Sequence, residues 1–467
     1  MAVRFSDEQV QQATGAVRTR IGARASYSAV CTDSRSVSPG CLFVALAGEK
    51  FDAHEFVQQA AEAGAAGLLV KKGQALKLQA TDVAVYEVDD TLVALGALAR
   101  YHRARFKVPV GAVTGSNGKT TTKELVASIL GMRGPALKTQ GNLNNEVGVP
   151  LTLFELEPRH VAAIVEMGMN HAGEISRLAD IARPDAGLIT IVQPAHLAGL
   201  GTIENVARAK GELFRGLPPG ATAVVNLDDE RVAQQAKTST ARQLTYGRHE
   251  RAQVRLTQVR PHGREGLALT VTYQGQPYEV ALRLVGDHNA MNATGAFALA
   301  LALGYSPDEC VRGLEAAQAH ARRLQLHDAP GGVTVIDDCY NANPASMDAA
   351  LRTLEQLAAG TGRAVAVLGD MLELGDEEVS AHTQLGVLAS ERAVVLAFFG
   401  PRSKHGYLQA KKKLGGGAVH FEDIEQLKAW LKSELKTHDV VLVKGSRGMR
   451  LERAVEAITG HAAGSAH

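Results

Sequence analysis

At 467 residues the chain exceeds one ordinary domain and predicts roughly three. With 45% hydrophobic and 21% charged residues and a net charge of +1, it reads as an ordinary globular protein, with no electrostatic case for nucleic acid or a membrane surface. No segment reaches the ~20 apolar residues of a membrane span. The first twenty residues hold no apolar core of signal-peptide length, and Cys31, Cys41, Cys310 and Cys339 fall into no C-x-x-C or zinc spacing, so reduced thiols in a cytoplasmic protein are expected.

Residues 1–107 predict a small α/β domain, with strands over 41–46 and 66–70 and a helix over 54–65 between them. Two polar clusters interrupt it. Thr32-Asp33-Ser34-Arg35 reads as a turn, and 48–54, with Asp52 and His54, as a loop capping the helix. A helix over 91–105 then runs into Phe106-Lys107-Val108-Pro109, a domain boundary.

The following stretch organises the chain. A β-branched run over 108–113 predicts a buried strand, Thr114, Gly115, Ser116, Asn117 and Gly118 a polar glycine loop, and Lys119 onward a helix with Leu125, Val126, Ile129 and Leu130 on one face. Strand, glycine loop, Gly-Lys-Thr and helix make a phosphate cradle: backbone N–H groups curl around an anion at the positive end of a helix. Lys119 would reach the outer phosphates of ATP, and Thr120, followed by Thr121, would offer a hydroxyl to Mg²⁺. The longer form of this motif would put a glycine at Val113; here the pattern is the shorter T-G-x-x-G-K-T.

Strands over 108–113, 161–168, 187–192 and 221–226 alternate with helical stretches, which predicts a mostly parallel sheet with helices on both faces. Ligands collect at the carboxyl ends of such strands, where Glu166 and His196 fall. Between 253 and 285, alternating runs flanking Gln274-Gly275-Gln276-Pro277 predict appended antiparallel strands, and a helix follows over 286–304. In 201–214, Ile203, Ala207, Lys210 and Phe214 recur at i, i+4, i+7 and i+11, so a lysine sits on the apolar face of a helix. Such a lysine either snorkels to water or is a buried amine of lowered pKa. A neutral amine reacts with CO₂ to give a carbamate, which with His196 and Glu166 would supply oxygen and nitrogen ligands for a second Mg²⁺.

Asn289 and Asn292 lie one turn apart at the start of their helix, where capping and ligand binding are both open. Asn142, Asn144 and Asn145 form a dense amide loop suited to a polar substrate. From about 322 a third α/β unit begins, with strands over 333–338, 363–370, 393–400 and 439–445, and Asp337, Asp338, Tyr340, Asn341 and Asn343 cluster directly after the first of them. Lys411-Lys412-Lys413 reads as a solvated helix face, and the tail from 460 as disordered.

Eight segments now carry a resemblance: TGSNGKTTTKE (114–124), GNLNNEVGVPLTL (141–153), EMGMNHAGEI (166–175), AHLAGLGT (195–202), AKGE (209–212), HNAMNA (288–293), DDCYNANP (337–344) and KGSRG (444–448). In this order the chain resembles the Mur ligases, from TDSR (32–35) to KGSR (444–447), and that family's shorter loop explains Val113. The resemblance implies three domains: 1–107 for a UDP-muramyl substrate, 108–321 with a P-loop-type sheet for ATP, and 322–467 with a Rossmann-like fold. It implies an ATP-dependent amide ligase, monomeric and cytoplasmic, joining D-alanyl-D-alanine to UDP-N-acetylmuramoyl-tripeptide through an acyl phosphate. It further implies that Lys119 and Thr120 hold the β- and γ-phosphates and a first Mg²⁺ with Glu166, and that His196 and carbamylated Lys210 hold a second. Asn289 and Asn292 would approach adenosine, Arg323 the phosphates, and Asp338 with Asn341 would close on the nucleotide. The family often has Gly-Arg where this chain has Arg322-Arg323, so either arginine can be the one that acts. Ser34, Arg35, Asp52 and His54 would belong to the UDP-sugar site, Asn142, Asn144 and Asn145 to the muramyl peptide, and Lys444, Ser446 and Arg447 to the incoming dipeptide. Folate-polyglutamate ligases share the loop but not a UDP-binding first domain, which the 107 residues ahead of the loop would supply.

Overall fold

The computed structural model describes residues 4–48, 51–74, 79, 82–194 and 197–460; His196 and the tail beyond 460 lie outside the described residues. The chain forms three large mixed α/β sheets in sequence order, with a short antiparallel pair, Phe5–Ser6 with Ser26–Tyr27, beside the first. The first sheet runs Val17–Arg20, Ala84–Val88, Gly67–Lys71, Leu42–Val44 and Val30–Cys31, parallel except at the Val17–Arg20 edge. The single helix expected over 54–65 is broken into a 3-10 turn, Ala53–Phe56, and a helix, Val57–Glu62. The break is local: the Asp52 side chain caps the tighter turn by accepting from the His54 N–H. Cys31, Cys41, Cys310 and Cys339 are all free thiols.

The central sheet has nine strands: Ala136–Lys138, Ala162–Glu166, Val110–Thr114, Ala186–Ile189, Thr222–Asn226, Arg242–Gly247, Val254–Pro261, Leu267–Tyr273 and Gln276–Leu282. All neighbours are parallel until the last two strands, which return as an antiparallel hairpin. Its turn is Gln274-Gly275, both at positive φ (50° and 78°), the backbone a two-residue hairpin requires. Val254–Pro261 is parallel to Arg242–Gly247, so the appended segment extends the parallel sheet before it reverses. The chain leaves Val110–Thr114 toward one edge and later returns on its other side, so the loop after that strand sits where the strand order reverses.

Apolar layers cover both faces of this sheet. One layer is continuous with the first sheet through helix Thr91–Ala104, whose Leu95 and Leu98 are fully buried. That helix lies so close to its neighbour that a Cβ on Gly96 would come within 2.7 Å of Ile181. The third sheet runs Gln325–Ala329, Val333–Asp338, Val440–Lys444, Ala364–Gly369, Val395–Phe399 and Ala418–Phe421, parallel except for its first pair. Among the described residues no helix is long and apolar enough to cross a membrane.

Candidate functional site

The loop from Gly115 to Gly118 is built by its neighbours before any ligand arrives. Ser116 N–H donates to Ile191 O (2.8 Å), its hydroxyl to Gln193 O (2.8 Å), and the Thr190 hydroxyl to Asn117 O (2.5 Å). Two glycines have no substitute here. Gly115 (φ 151°) would place a Cβ 1.8 Å from Thr190 Oγ1, and Gly118 (φ 80°) one 2.4 Å from Asn292 Oδ1. Gly118 caps helix Lys119–Leu130, so the free N–H groups of its first turn open toward a cavity of about 980 Å³.

Two lysines converge behind this loop. Lys119 Nζ donates to Gly115 O at 2.8 Å and Lys210 Nζ to the same oxygen at 3.0 Å. Lys210 is 1% exposed, so the snorkelling alternative fails: helix Ile203–Arg215 turns it inward with Phe214 and Ala207. Burial, reinforced by the charge of Lys119, pushes its pKa well below the ordinary lysine value. Burial also lowers Lys119, with Glu166 opposing the shift and Arg323 adding to it. Glu166 is buried at the end of its strand; Oε1 accepts from the Asn144 amide (2.9 Å), and Oε2 is buried without a partner. A buried carboxylate oxygen left unpaired is costly. It lies in the wall that also holds the Thr120 hydroxyl, and the two suit a hard cation such as Mg²⁺. Among the described residues there is no cluster of three or more His, Cys, Asp or Glu side chains that could hold a metal by itself.

The third sheet closes the cavity from the opposite side. Arg323 Nη2 donates to Thr120 Oγ1 (3.3 Å), and its guanidinium lies 4.1 Å over the Tyr340 ring. Asn343 Nδ2 donates to Asn117 Oδ1 (2.8 Å), and Asn117 Nδ2 donates back to Asn343 Oδ1 at 3.3 Å. Lys444 Nζ donates to Asp338 Oδ2 (2.6 Å) and to Asn341 O (3.0 Å), holding the two residues expected to close on the nucleotide. Asn289 Nδ2 donates to Val285 O (2.8 Å) and Asn292 Nδ2 to Asn289 Oδ1 (2.9 Å), and both asparagines line the cavity.

Several candidates are engaged elsewhere. Asn142, Asn144 and Asn145 line the cavity, but Asn145 Oδ1 also accepts from the N–H groups of Val147 and Gly148 at a helix start. Ser446 is buried, its hydroxyl accepting from the Leu372 N–H (2.9 Å), and Arg447 pairs with Glu452 (2.8 Å); neither lines the cavity. Ser34, Arg35, Asp52 and His54 lie in the first sheet's loops and do not line this cavity, although Gly48, at the start of the loop that holds Asp52 and His54, does. Arg35 is exposed and forks onto Asp33. His54 Nε2 accepts from the Lys71 N–H (2.9 Å), which fixes the proton on Nδ1, 2.5 Å from Asp52. Gln193 and His288 were not among the candidates. Both line the cavity; Gln193 Oε1 accepts from the Asn117 amide (2.6 Å), and its place just past a strand end is a signal for it.

Similarity to known proteins runs along most of the chain. Residues 26–103 match the Mur ligase family catalytic domain, 113–300 the Mur ligase middle domain, and 322–447 the Mur ligase glutamate ligase domain. The chain is 37% identical to UDP-N-acetylmuramoyl-tripeptide–D-alanyl-D-alanine ligase of Escherichia coli over 94% of its own length and 95% of that protein's. A crystal structure of MurF from Acinetobacter baumannii superposes with a TM-score of 0.88 at 35% identity, covering 97% of this chain and 98% of that one. MurF ligase from Thermotoga maritima, solved in complex with ADP, gives 0.81 at 26% identity over 92% and 96%. With the same three parts in the same order around one phosphate loop, the chain belongs to the Mur ligase family.

Proposed function

We propose that this chain is an ATP-dependent ligase that joins D-alanyl-D-alanine to UDP-N-acetylmuramoyl-tripeptide in peptidoglycan synthesis, releasing ADP and phosphate. The observation that carries this reading is the meeting, in one cavity, of the phosphate loop, the buried Glu166 and Arg323, just ahead of the third sheet, on a chain similar over 94% of its length to an enzyme of that name. We divide the chain into a UDP-muramyl domain (1–107), an ATP domain (108–321) and a closing domain (322–467), working as a cytoplasmic monomer.

The chemistry answers an obstacle: a carboxylate does not react with an amine in neutral water. An oxygen of the tripeptide's terminal carboxylate attacks the γ-phosphorus of ATP and ADP leaves, giving an acyl phosphate. The amine of the dipeptide then attacks the acyl carbon, gives up a proton, and phosphate departs. The first step brings two anions together, so cations must converge on the transferred group. Lys119 and Arg323 both line the cavity and would both meet it. Thr120 and Glu166 would hold one Mg²⁺, and Glu166, His196 and Lys210 as a carbamate a second; bound there, the ions would neutralise charge developing on the phosphoryl oxygens. The lowered pKa of Lys210 supports the carbamate, because only the neutral amine takes up CO₂.

The remaining roles follow position. Asn289 and Asn292 would face the adenosine end, with Asp338 and Asn341 closing over it. Asn142 and Asn144 would meet the muramyl peptide, while Ser34, Arg35, Asp52 and His54 would hold the UDP-sugar. The dipeptide would enter along the face that carries Lys444. Acyl phosphates hydrolyse, and the paired amides of Asn117 and Asn343 tie the closing domain to the loop, which keeps water from the intermediate. The test is ADP release measured with each substrate omitted in turn. ADP formation that needs both muramyl tripeptide and D-alanyl-D-alanine is expected; turnover with either absent, or with a folate acceptor, would overturn the reading.

A further inference from the structure

Arg323 is presented to the phosphate loop from a backbone that is unusual on both sides. Arg322 has φ 62° and Leu324 φ 51°, the left-handed region that side-chain-bearing residues rarely adopt. Such residues persist only where their surroundings hold them. Leu324 is held on the cavity side: its N–H donates to Asp338 Oδ1 at 3.3 Å. Arg322 is held elsewhere. Its N–H donates to Gln325 Oε1 (3.3 Å), and its guanidinium, outside the cavity lining, lies 3.6 Å from Glu452 Oε1, with both side chains largely buried. Glu452 opens helix Glu452–Thr459, and the same Oε1 accepts from Arg447 Nη1 at 2.8 Å. Arg322 Nε and Glu452 Oε2 are buried with no hydrogen-bond partner; without Glu452 the largely buried Arg322 guanidinium would lose its counter-charge, whereas Glu452 would keep Arg447.

We propose that Arg322, held against Glu452, is a positioning residue that locks the left-handed turn on which Arg323 reaches Thr120. Adjacent side chains leave this turn in different directions, so fixing Arg322 behind it sets where Arg323 points in front. The proposal rests on the reading of Arg323 as the arginine that meets the transferred phosphoryl. It also separates the two neighbouring arginines by role: one touches the reacting group, the other aims it.

The test measures kcat, KM for ATP and the urea unfolding midpoint for Arg322→Gly, Arg322→Lys, Glu452→Gln and Arg323→Ala. Glycine removes the guanidinium and suits a positive φ, so a merely structural role for Arg322 predicts an unchanged kcat whichever way the unfolding midpoint moves. The positioning role predicts kcat lowered about tenfold or more in Arg322→Gly and Glu452→Gln, with KM for ATP nearly unchanged. The double variant should be no slower than the slower single, because both break one contact. Arg322→Lys, which restores a cation opposite Glu452, should recover part of the rate. Full rate in Arg322→Gly and Glu452→Gln, with Arg323→Ala inactive, overturns the clamp and leaves the reading of Arg323 standing. Full rate in Arg323→Ala overturns that reading itself. A kcat loss that disappears when the variants are assayed well below their unfolding midpoints also overturns the clamp.

Discussion

Replacing Lys210 by methionine should stabilise the fold while abolishing the reaction. The lysine is 1% exposed, and its one acceptor among the described residues, the Gly115 carbonyl, is shared with Lys119. Burial, then the Lys119 charge, holds its pKa well below the ordinary value, so the unfolded chain binds a proton that the folded protein does not. Stability therefore rises with pH, by about 1.4 kcal/mol per unit, between the folded pKa and the unfolded value near ~10.4. Below the folded pKa the deficit is complete, and above ~10.4 it vanishes. Methionine fills a similar volume without an amine and removes the slope. Exchanges of buried charge for apolar side chains of similar volume stabilise by about 1–4 kcal/mol. A gain of about 2 kcal/mol in a unit of ~200 residues raises the unfolding midpoint by about 4–8 °C. The assay is thermal unfolding in CO₂-free buffer from about pH 7 to about pH 10, with ADP release measured alongside. The gap between variant and parent should narrow as the pH rises, and bicarbonate should raise the midpoint of the parent alone. A variant less stable than the parent at neutral pH, or a gap independent of pH, would refute the reasoning, because the amine would then be charged and compensated in the fold.

Lys119→Ala should abolish ADP formation and leave the affinity for UDP-muramyl tripeptide nearly unchanged by calorimetry, since Ser34, Arg35, Asp52 and His54 lie outside the lining of the cavity that holds Lys119; a large loss of affinity would contradict that division. Asn343→Ser should keep the cap that Asn343 places on helix Pro344–Ala358 but lose its amide pair with Asn117. That predicts a kcat about fivefold lower at unchanged stability, from a net hydrogen bond of about 1 kcal/mol, whereas Asn343→Ala should also lower stability by about 1 kcal/mol. Equal rates in the serine variant and the parent would show that the pair does not serve closure. Lys210→Ala should regain part of its activity with millimolar acetate or formate, which can enter the vacated space and supply carboxylate oxygens. No rescue, together with an active Lys210→Arg, would rule out the carbamate.

What the amino-acid sequence determined by itself was local and periodic. The spacing of Gly115, Gly118, Lys119 and Thr120 specifies the cradle, because backbone geometry over a few residues decides where those N–H groups point. The stripe through Ile203, Ala207 and Phe214 puts Lys210 on the apolar face of its helix, because helical period decides which face is buried; that its amine stays inside rather than snorkelling to water is a property of the fold. Strands without an apolar run escaped this kind of reading. Ala136–Lys138, at the sheet edge, has only three residues, and Arg242–Gly247, inside the sheet, is half-exposed and polar; they are strands because neighbours offer hydrogen bonds to their backbone.

Tertiary structure alone decided which polar groups face one another. Asn144 and Asn145 are adjacent in the chain, yet one amide holds Glu166 and the other side chain caps a helix start. Nothing local distinguishes Arg322 from Arg323; a left-handed turn, stabilised by contacts more than a hundred residues away in sequence, sends one to Glu452 and the other to Thr120. The same holds for Lys119 and Lys210, which share one carbonyl although their helices follow different strands. Hydrogen bonds and charges act through space over a few ångströms, and only the folded chain sets those distances.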